Sequence, residues 1–307
     1  MISIFFIIDG TRMEAQVALL ASTLVHHNAG SFAYIGYVSD NHRYALNPSF
    51  LHLMARCHVE LRPLPGPSDV WARPFPLGNK ILAATDWRDS SHSLFLDSDI
   101  ICTSPLDLAD LLEERAIAVA PEGKPTWGKD LSDWQSVYGH FDLPLPEDRV
   151  TLRRGRRRQY LPYFNAGVIL FPEGPIVEER GVGEVWLETA LAIDHLVAVH
   201  KKRPWLDQIS LPVTLKRFGL SYTLADDSLN YSISDRERIS DEMATLIHYH
   251  SFRDLAVWDG HRQAALEQTA QVAGEALFAT LTAIYAEWWH CPPLDRPPAD
   301  RHGETVA

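Results

Sequence analysis

Residues 93–105 read Ser-Leu-Phe-Leu-Asp-Ser-Asp-Ile-Ile-Cys-Thr-Ser-Pro. A short apolar run, Leu94-Phe95-Leu96, stops at Asp97-Ser98-Asp99 and resumes at Ile100-Ile101. Such a run reads as a buried strand of an α/β sheet. Carboxylates at its carboxyl end are costly to bury alone, and open α/β sheets collect ligands along that edge. If the chain stays extended, Asp97 and Asp99 project to one side and Ser98 to the other. Two hard oxygen ligands then stand together, an arrangement that Mg²⁺ or Mn²⁺ accepts while also holding a substrate's phosphates. The structural alternative is a strand-to-loop junction in which Asp99 or Ser104 serves as a turn or cap residue. It is the only D-x-D in the chain.

The chain has 307 residues, of which 46% are hydrophobic and 22% charged, as in an ordinary globular protein able to bury a large core. A net charge of −12 argues against general nucleic-acid binding. Cys57, Cys102 and Cys291 are far apart and lack metal spacing, so they read as small buried residues in a reducing compartment. Residues 2–8 are apolar but only strand-length, with no basic segment before them, and no run reaches membrane-spanning length. A cytoplasmic location is the default expectation.

Working outward, residues 2–8 predict a first strand stopped by Asp9-Gly10. Thr11-Arg12-Met13-Glu14 matches a capping box for a helix to Asn28, with Gly30 as its stop. Strands at 33–38 and around 59–61 complete a β-α-β opening and predict a parallel sheet. Asp9 reads either as a turn aspartate or as a contact to a nucleotide. Five prolines mark a loop over residues 63–76. Gly78-Asn79-Lys80 then opens a short helix at 81–87, where a phosphate would explain a lysine at a helix start. Ser104-Pro105 predicts a helix through Leu112, and residues 116–120 another strand. Residues 121–146 read as a loop-helix insertion. The basic run at 153–158 reads either as a solvated loop or as a lid over anions. Residues 162–171 end in a strand that begins near Asn165 and Gly167, where an amide and close backbone approach are both available. Helices are expected at 182–200, from 205 with Asp207 as N-cap, and as one long stretch at 263–289; late strands are expected at 220–224 and 245–249.

Taken in order, the β-α-β opening, FLDSD (95–99), YFNAGV (163–168), WLDQ (205–208) and IHYH (247–250) resemble the glycosyltransferases of family 8 and their relatives, over residues 2–254. That resemblance implies a GT-A-like α/β fold: a single domain with a mostly parallel central sheet flanked by helices. It implies transfer of a sugar from a nucleotide-sugar donor, most often a UDP-sugar, with retention at the anomeric carbon. The acceptor would be a glycan, a lipid-linked group or a protein. The metal, Mn²⁺ or alternatively Mg²⁺, would be held by Asp97, Asp99 and His248, with His250 as the alternative histidine. Asn165, Asp207 and Gln208 would serve the donor sugar at the reacting centre. Asp9, Gly10, Lys80, Asp97, Ser98, Gly167 and Arg253 form the expected donor-nucleotide set.

The sequence also departs from the family pattern. The late histidine there opens H-F-x-G-x-x-K-P-W, whereas here Ser251 replaces the glycine and Asp254 the lysine. Arg253, or the arginine run, would have to supply that cation. The first strand also ends without the aromatic residue that often stacks on the base. The rival readings are a nucleotidyltransferase on a similar sheet and a non-catalytic GT-A-like scaffold. The expected organisation is a transferase domain over residues 1–260, a helical extension at 261–291 packed on it or dimerising, and a flexible tail at 292–307.

Overall fold

The computed structural model describes residues 1–154, 158–234 and 244–294. The chain opens β1 (Ile2–Ile8), α1 (Thr11–Asn28), β2 (Phe32–Val38), α2 (Pro48–Arg56), β3 (Val59–Pro63) and α3 (Asn79–Ala84). Next come β4 (His92–Leu96), β5 (Ile100–Cys102), β6 (Ala116–Pro121) and α4 (Leu131–Gly139). A two-residue pair, β7 (Val150–Thr151) and β8 (Gln159–Tyr160), precedes the long β9 (Phe164–Pro172). The remainder is α5 (Val182–Leu196), α6 (Leu206–Phe218), β10 (Ser221–Leu224), β11 (Tyr231–Ser232), β12 (Leu246–His248), α7 (Phe252–Val257), α8 (Asp259–Ala273) and α9 (Glu275–Trp289).

Seven strands form the central sheet in the order β10-β6-β9-β4-β1-β2-β3. Every neighbouring pair is parallel except those made by β9, which runs against both β4 and β6. The expected mostly parallel α/β sheet is therefore present, with one reversed strand in its interior. Side chains alternate faces along a strand, and they do so here. Ile4, Phe6 and Ile8 of β1, with Leu94 and Leu96 of β4, join the core under α1, α2 and α7–α9. Phe5, Ile7 and Phe95 join the opposite core under α3–α6. A small sheet, β11-β12-β5, continues from β4 beyond Asp99.

Several local expectations are corrected. No capping box opens α1: Gly10 is the N-cap at φ 99°, and Thr11 is already helical. Glu14 is instead buried, bonded to His42 (2.6 Å) and to the Tyr285 hydroxyl (2.8 Å). No helix follows Ser104-Pro105. Asn28 takes the Leu106 amide (2.8 Å) and Asp107 takes that of Ala109 (3.1 Å), leaving only a 3₁₀ turn at Ala109–Leu111. Helix α2, absent from the sequence reading, starts where Asn47 caps Ser49 (2.9 Å). Helix α6 starts at Leu206 with Trp205 as N-cap, so Asp207 lies inside its first turn.

The long C-terminal helix is two helices, broken at Gly274, whose φ of 75° suits glycine. Both pack on the rest of the chain. Trp289 is buried and donates to the Ala15 carbonyl (3.0 Å), and Trp288 lies against the same core. Trp289 is thus covered by the chain's own α1, and Trp288 is partly buried against the same core. The tail beyond residue 294 lies outside the described residues. Replacing Trp289 with alanine is expected to cost about 3–5 kcal/mol of stability. A lowered urea midpoint at unchanged slope would register it; an unmoved midpoint would mean that α9 is peripheral to the fold.

Candidate active site

Strand β9 builds the site because it is antiparallel. Its first residues lie beside the carboxyl ends of β4 and β6. Asp97 donates its amide to the Gly167 carbonyl (2.8 Å), and Glu122 donates its amide to that of Tyr163 (3.0 Å). The β6–β9 register shifts here, from Val119 opposite Ile169 to Ala120 opposite Asn165. Such an irregularity re-aims backbone and side chains. Ala166 and Gly167 leave the ladder with β6, and the Ala166 carbonyl meets Lys80.

Lys80 is buried beneath the cluster. Its ammonium has three protons, and three oxygens take them: Ala166 O (2.9 Å), Asp97 Oδ1 (2.9 Å) and Asp207 Oδ2 (3.2 Å). Burial alone would favour the neutral amine, but Asp97 and Asp207 outweigh it and hold Lys80 protonated, well above the ordinary lysine range. Oxygens of the chain itself thus hold the ammonium for which a phosphate was the expected partner. Lys80 can reach a phosphate only by abandoning one of these oxygens. Asp207 is pushed up by burial, which Lys80 offsets only in part while Asp97 adds to it.

The D-x-D is a turn, not an extended strand; β4 ends at Leu96 and β5 starts at Ile100. Both carboxylates nevertheless face His248 at the end of β12. Its Nε2 lies 3.2 Å from Asp99 Oδ1 and 4.0 Å from Asp97 Oδ2. Ser98 points away, donating to Gln16 on α1 (3.2 Å), and is absent from the cavity wall. Burial works against ionisation of both Asp99 and His248. Their mutual attraction prevails, lowering the carboxyl and raising the imidazole.

His250, at φ 58°, turns its ring against His248 with centroids 4.0 Å apart. Asp99, His248 and His250 each bring one ligand atom within 4.8 Å of the others. Two ligands about 2.1 Å from one ion stand at most about 4.2 Å apart, so the spacings of Asp97 and Asp99 from His248 fit a shared divalent cation. Gly167 is required beside them. A Cβ there would sit 2.6 Å from His248 Cε1 and 2.9 Å from Asp97 Oδ2.

Asn165, Asp207 and Gln208 line the same cavity of about 390 Å³ as Lys80, Asp97, Asp99 and the two histidines. So does Glu122, which the sequence reading missed. One oxygen of its carboxylate accepts from Asn165 Nδ2 (3.2 Å) and Gln208 Nε2 (2.9 Å), while the Tyr163 hydroxyl donates to Gln208 Oε1 (2.7 Å). The signal was available, since Glu122 follows an apolar strand directly, as Asp97 does.

Arg154 also lines this cavity and donates to Ser232, whereas Arg153 is tied to Asp227 (3.3 Å) and the Ala225 carbonyl (2.5 Å). Residues 155–157 of the basic run lie outside the described residues. Arg253 is exposed on α7 and absent from the cavity wall. Asp254, at the position of the family's lysine, instead closes the first turn of α7 with Ser251 (2.6 Å). Asp9 faces a second cavity of about 340 Å³ with Trp71, Phe75 and Asn79, accepting from Ser39 (2.6 Å) and Asn79 (3.2 Å). Gly10 lines neither cavity and caps α1.

Comparison with known proteins bears on the fold and the domain. The family model described as the Rhodobacterales glycosyltransferase domain matches residues 4–219, and the chain belongs to that family. No curated protein matches the sequence. Among solved structures, the chain is similar to mouse xyloside xylosyltransferase 1 in its apo form, at 13% identity and a TM-score of 0.52, covering 80% of this chain and 96% of that one. It is similar to galactosyltransferase LgtC in complex with donor and acceptor sugar analogs, at 14% identity and a TM-score of 0.52, covering 89% and 95%. It is also similar to the bifunctional glycosyltransferase WbbM, at 15% identity and a TM-score of 0.53, covering 92% of this chain and about half (51%) of WbbM. These likenesses establish the GT-A fold, and family membership establishes a glycosyltransferase domain. The nucleotidyltransferase reading is set aside on that ground. Among the described residues no helix is long and apolar enough to cross a membrane.

Lys80 is the structural keystone of this cluster. Replacing it with methionine would leave Asp207 buried without its ammonium, and is expected to cost about 3–5 kcal/mol. Urea denaturation tests this. Wild-type stability would show that the two carboxylates do not depend on Lys80.

Proposed function

We propose that this glycosyltransferase draws its sugar from a nucleoside-diphosphate sugar, a UDP-sugar, and uses a divalent cation, Mn²⁺ or Mg²⁺, in doing so. The observation that carries this reading is the convergence of Asp97, Asp99, His248 and His250 on one cavity with Asn165, Asp207 and Gln208. The oxygen and nitrogen donors of Asp97, Asp99 and His248 suit such an ion, which when bound supplies positive charge beside the departing diphosphate.

The chain's own residues supply the rest. Arg154 stands in for the missing lysine, since its guanidinium reaches the same cavity from the start of the basic run. Asp9 and the aromatic wall of Trp71 and Phe75 receive the nucleoside in the second cavity. Pro76 and Asn79 line that cavity, and Leu77 and Lys80 line the first, so one short segment borders both. Asn165, Gln208 and Asp207 orient the sugar, and Glu122 fixes the two amides. The bond from the anomeric carbon to phosphate breaks as the acceptor hydroxyl adds to that carbon and passes its proton to the departing diphosphate oxygen.

Retention, adopted here from the family resemblance, would run without a covalent intermediate, because Asp207 is committed to Lys80 and deeply buried, a poor arrangement for a covalent nucleophile. The acceptor then approaches on the face that the diphosphate leaves. The loss of the family's lysine had favoured a non-catalytic scaffold; Arg154 answers that loss.

A thermal-shift series tests this reading. UDP with Mn²⁺ is expected to raise the melting temperature, and neither alone should match the pair, because a ligand that binds only the folded state stabilises it by mass action. Asp99→Asn should abolish the metal-linked part of the shift, and Arg154→Ala should weaken the UDP response. A UDP shift equally large without metal, or none under any condition, would overturn the proposal.

A further inference from the structure

A chain of hydrogen bonds runs from the sugar side of the cavity to His248, and one backbone donor fixes its polarity. Gly167 N–H can only donate, so the Asn165 atom 3.0 Å away is its carbonyl oxygen. The other end of that amide then points its NH₂ at the Glu122 carboxylate, which can only accept when ionised. Reversing the amide would set a donor against a donor at one end and an acceptor against an acceptor at the other. Asn230 meets the same Asn165 oxygen at 2.9 Å, so it presents its NH₂ there. Its oxygen is therefore the atom 3.1 Å from His248 Nδ1. An oxygen without a proton can only accept, so Nδ1 carries the hydrogen.

The fold supports this placement. Asp226 caps the Ser228 amide (2.9 Å) and closes the 3₁₀ turn Asp227–Asn230. Strand β11 follows at once and pairs Ser232 with His248. Asn230 and His248 are both buried, with 4% and 3% of their surface exposed, so water competes little for this bond.

We propose that Asn230 is a positioning residue, which accepts a hydrogen bond from His248 Nδ1–H and turns Nε2 toward Asp97 and Asp99. Its consequence for cation binding rests on the metal reading above; the assignment of the proton does not. A ligating histidine commonly donates its other ring nitrogen to a fixed acceptor, and losing that acceptor typically costs 10–100-fold in affinity.

The test uses the full chain with ¹⁵N-labelled histidine. Nuclear magnetic resonance of the metal-free protein should show a proton on His248 Nδ1. Calorimetry with Mn²⁺ alone should show Asn230→Leu binding about 10–100-fold more weakly. Asn230→Asp, which keeps an acceptor facing Nδ1, should recover most of that loss. An unprotonated Nδ1 in the wild type would overturn the proposal even if the variants fail to fold. So would an Asn230→Leu protein with native melting behaviour and undiminished Mn²⁺ affinity. A protonated Nδ1 in a wild type that binds no Mn²⁺ would uphold the proton assignment and overturn the metal reading instead.

Discussion

Everything in the site depends on one buried ammonium. Lys80 stands where β4, the irregular start of β9 and the first turn of α6 meet, and its three protons join one oxygen from each. Without it, Asp97 and Asp207 would repel one another in a poorly solvated space. With it, Asp97 keeps its second oxygen turned toward His248. The lysine therefore assembles a negatively charged surface from parts of the chain more than a hundred residues apart.

The reversed strand is the second requirement. In a fully parallel sheet, the carboxyl ends of neighbouring strands share one edge, and strand starts lie at the other. Strand β9 brings a strand start to the ligand edge. Asn165 and Gly167 thereby reach Asp97 and Glu122, and the shifted register frees the Ala166 carbonyl for Lys80. Gly167 admits His248 because a side chain would occupy the same space. Geometry and chemistry are hard to separate here, since one irregularity positions an amide, a carbonyl and a missing Cβ together.

Much of this was legible in the sequence, because the informative residues sit where apolar runs stop. Asp97 and Asn165 are polar residues bordering buried strands, and such positions stand out against an apolar background. Residues whose role depends on partners distant in sequence were harder to read. Lys80 looked like a helix-start cation awaiting phosphate, but its carboxylate partners lie in segments that spacing alone could not join to it. Asn230 sits in a turn, where asparagine is ordinary. Ser98 and Arg253 border the site in sequence, but the Ser98 side chain turns to α1 and Arg253 lies on the exposed face of α7. The helical periodicity of the C-terminus was real, but only the positive φ at Gly274 divides it into α8 and α9.

The most direct test of the central claim is a crystal grown with UDP and Mn²⁺, with anomalous scattering recorded at the manganese edge. The account predicts one peak bounded by Asp97, Asp99 and His248, with the diphosphate between that ion and Arg154. Bound nucleotide with no peak at those side chains, or a peak only elsewhere, would contradict it.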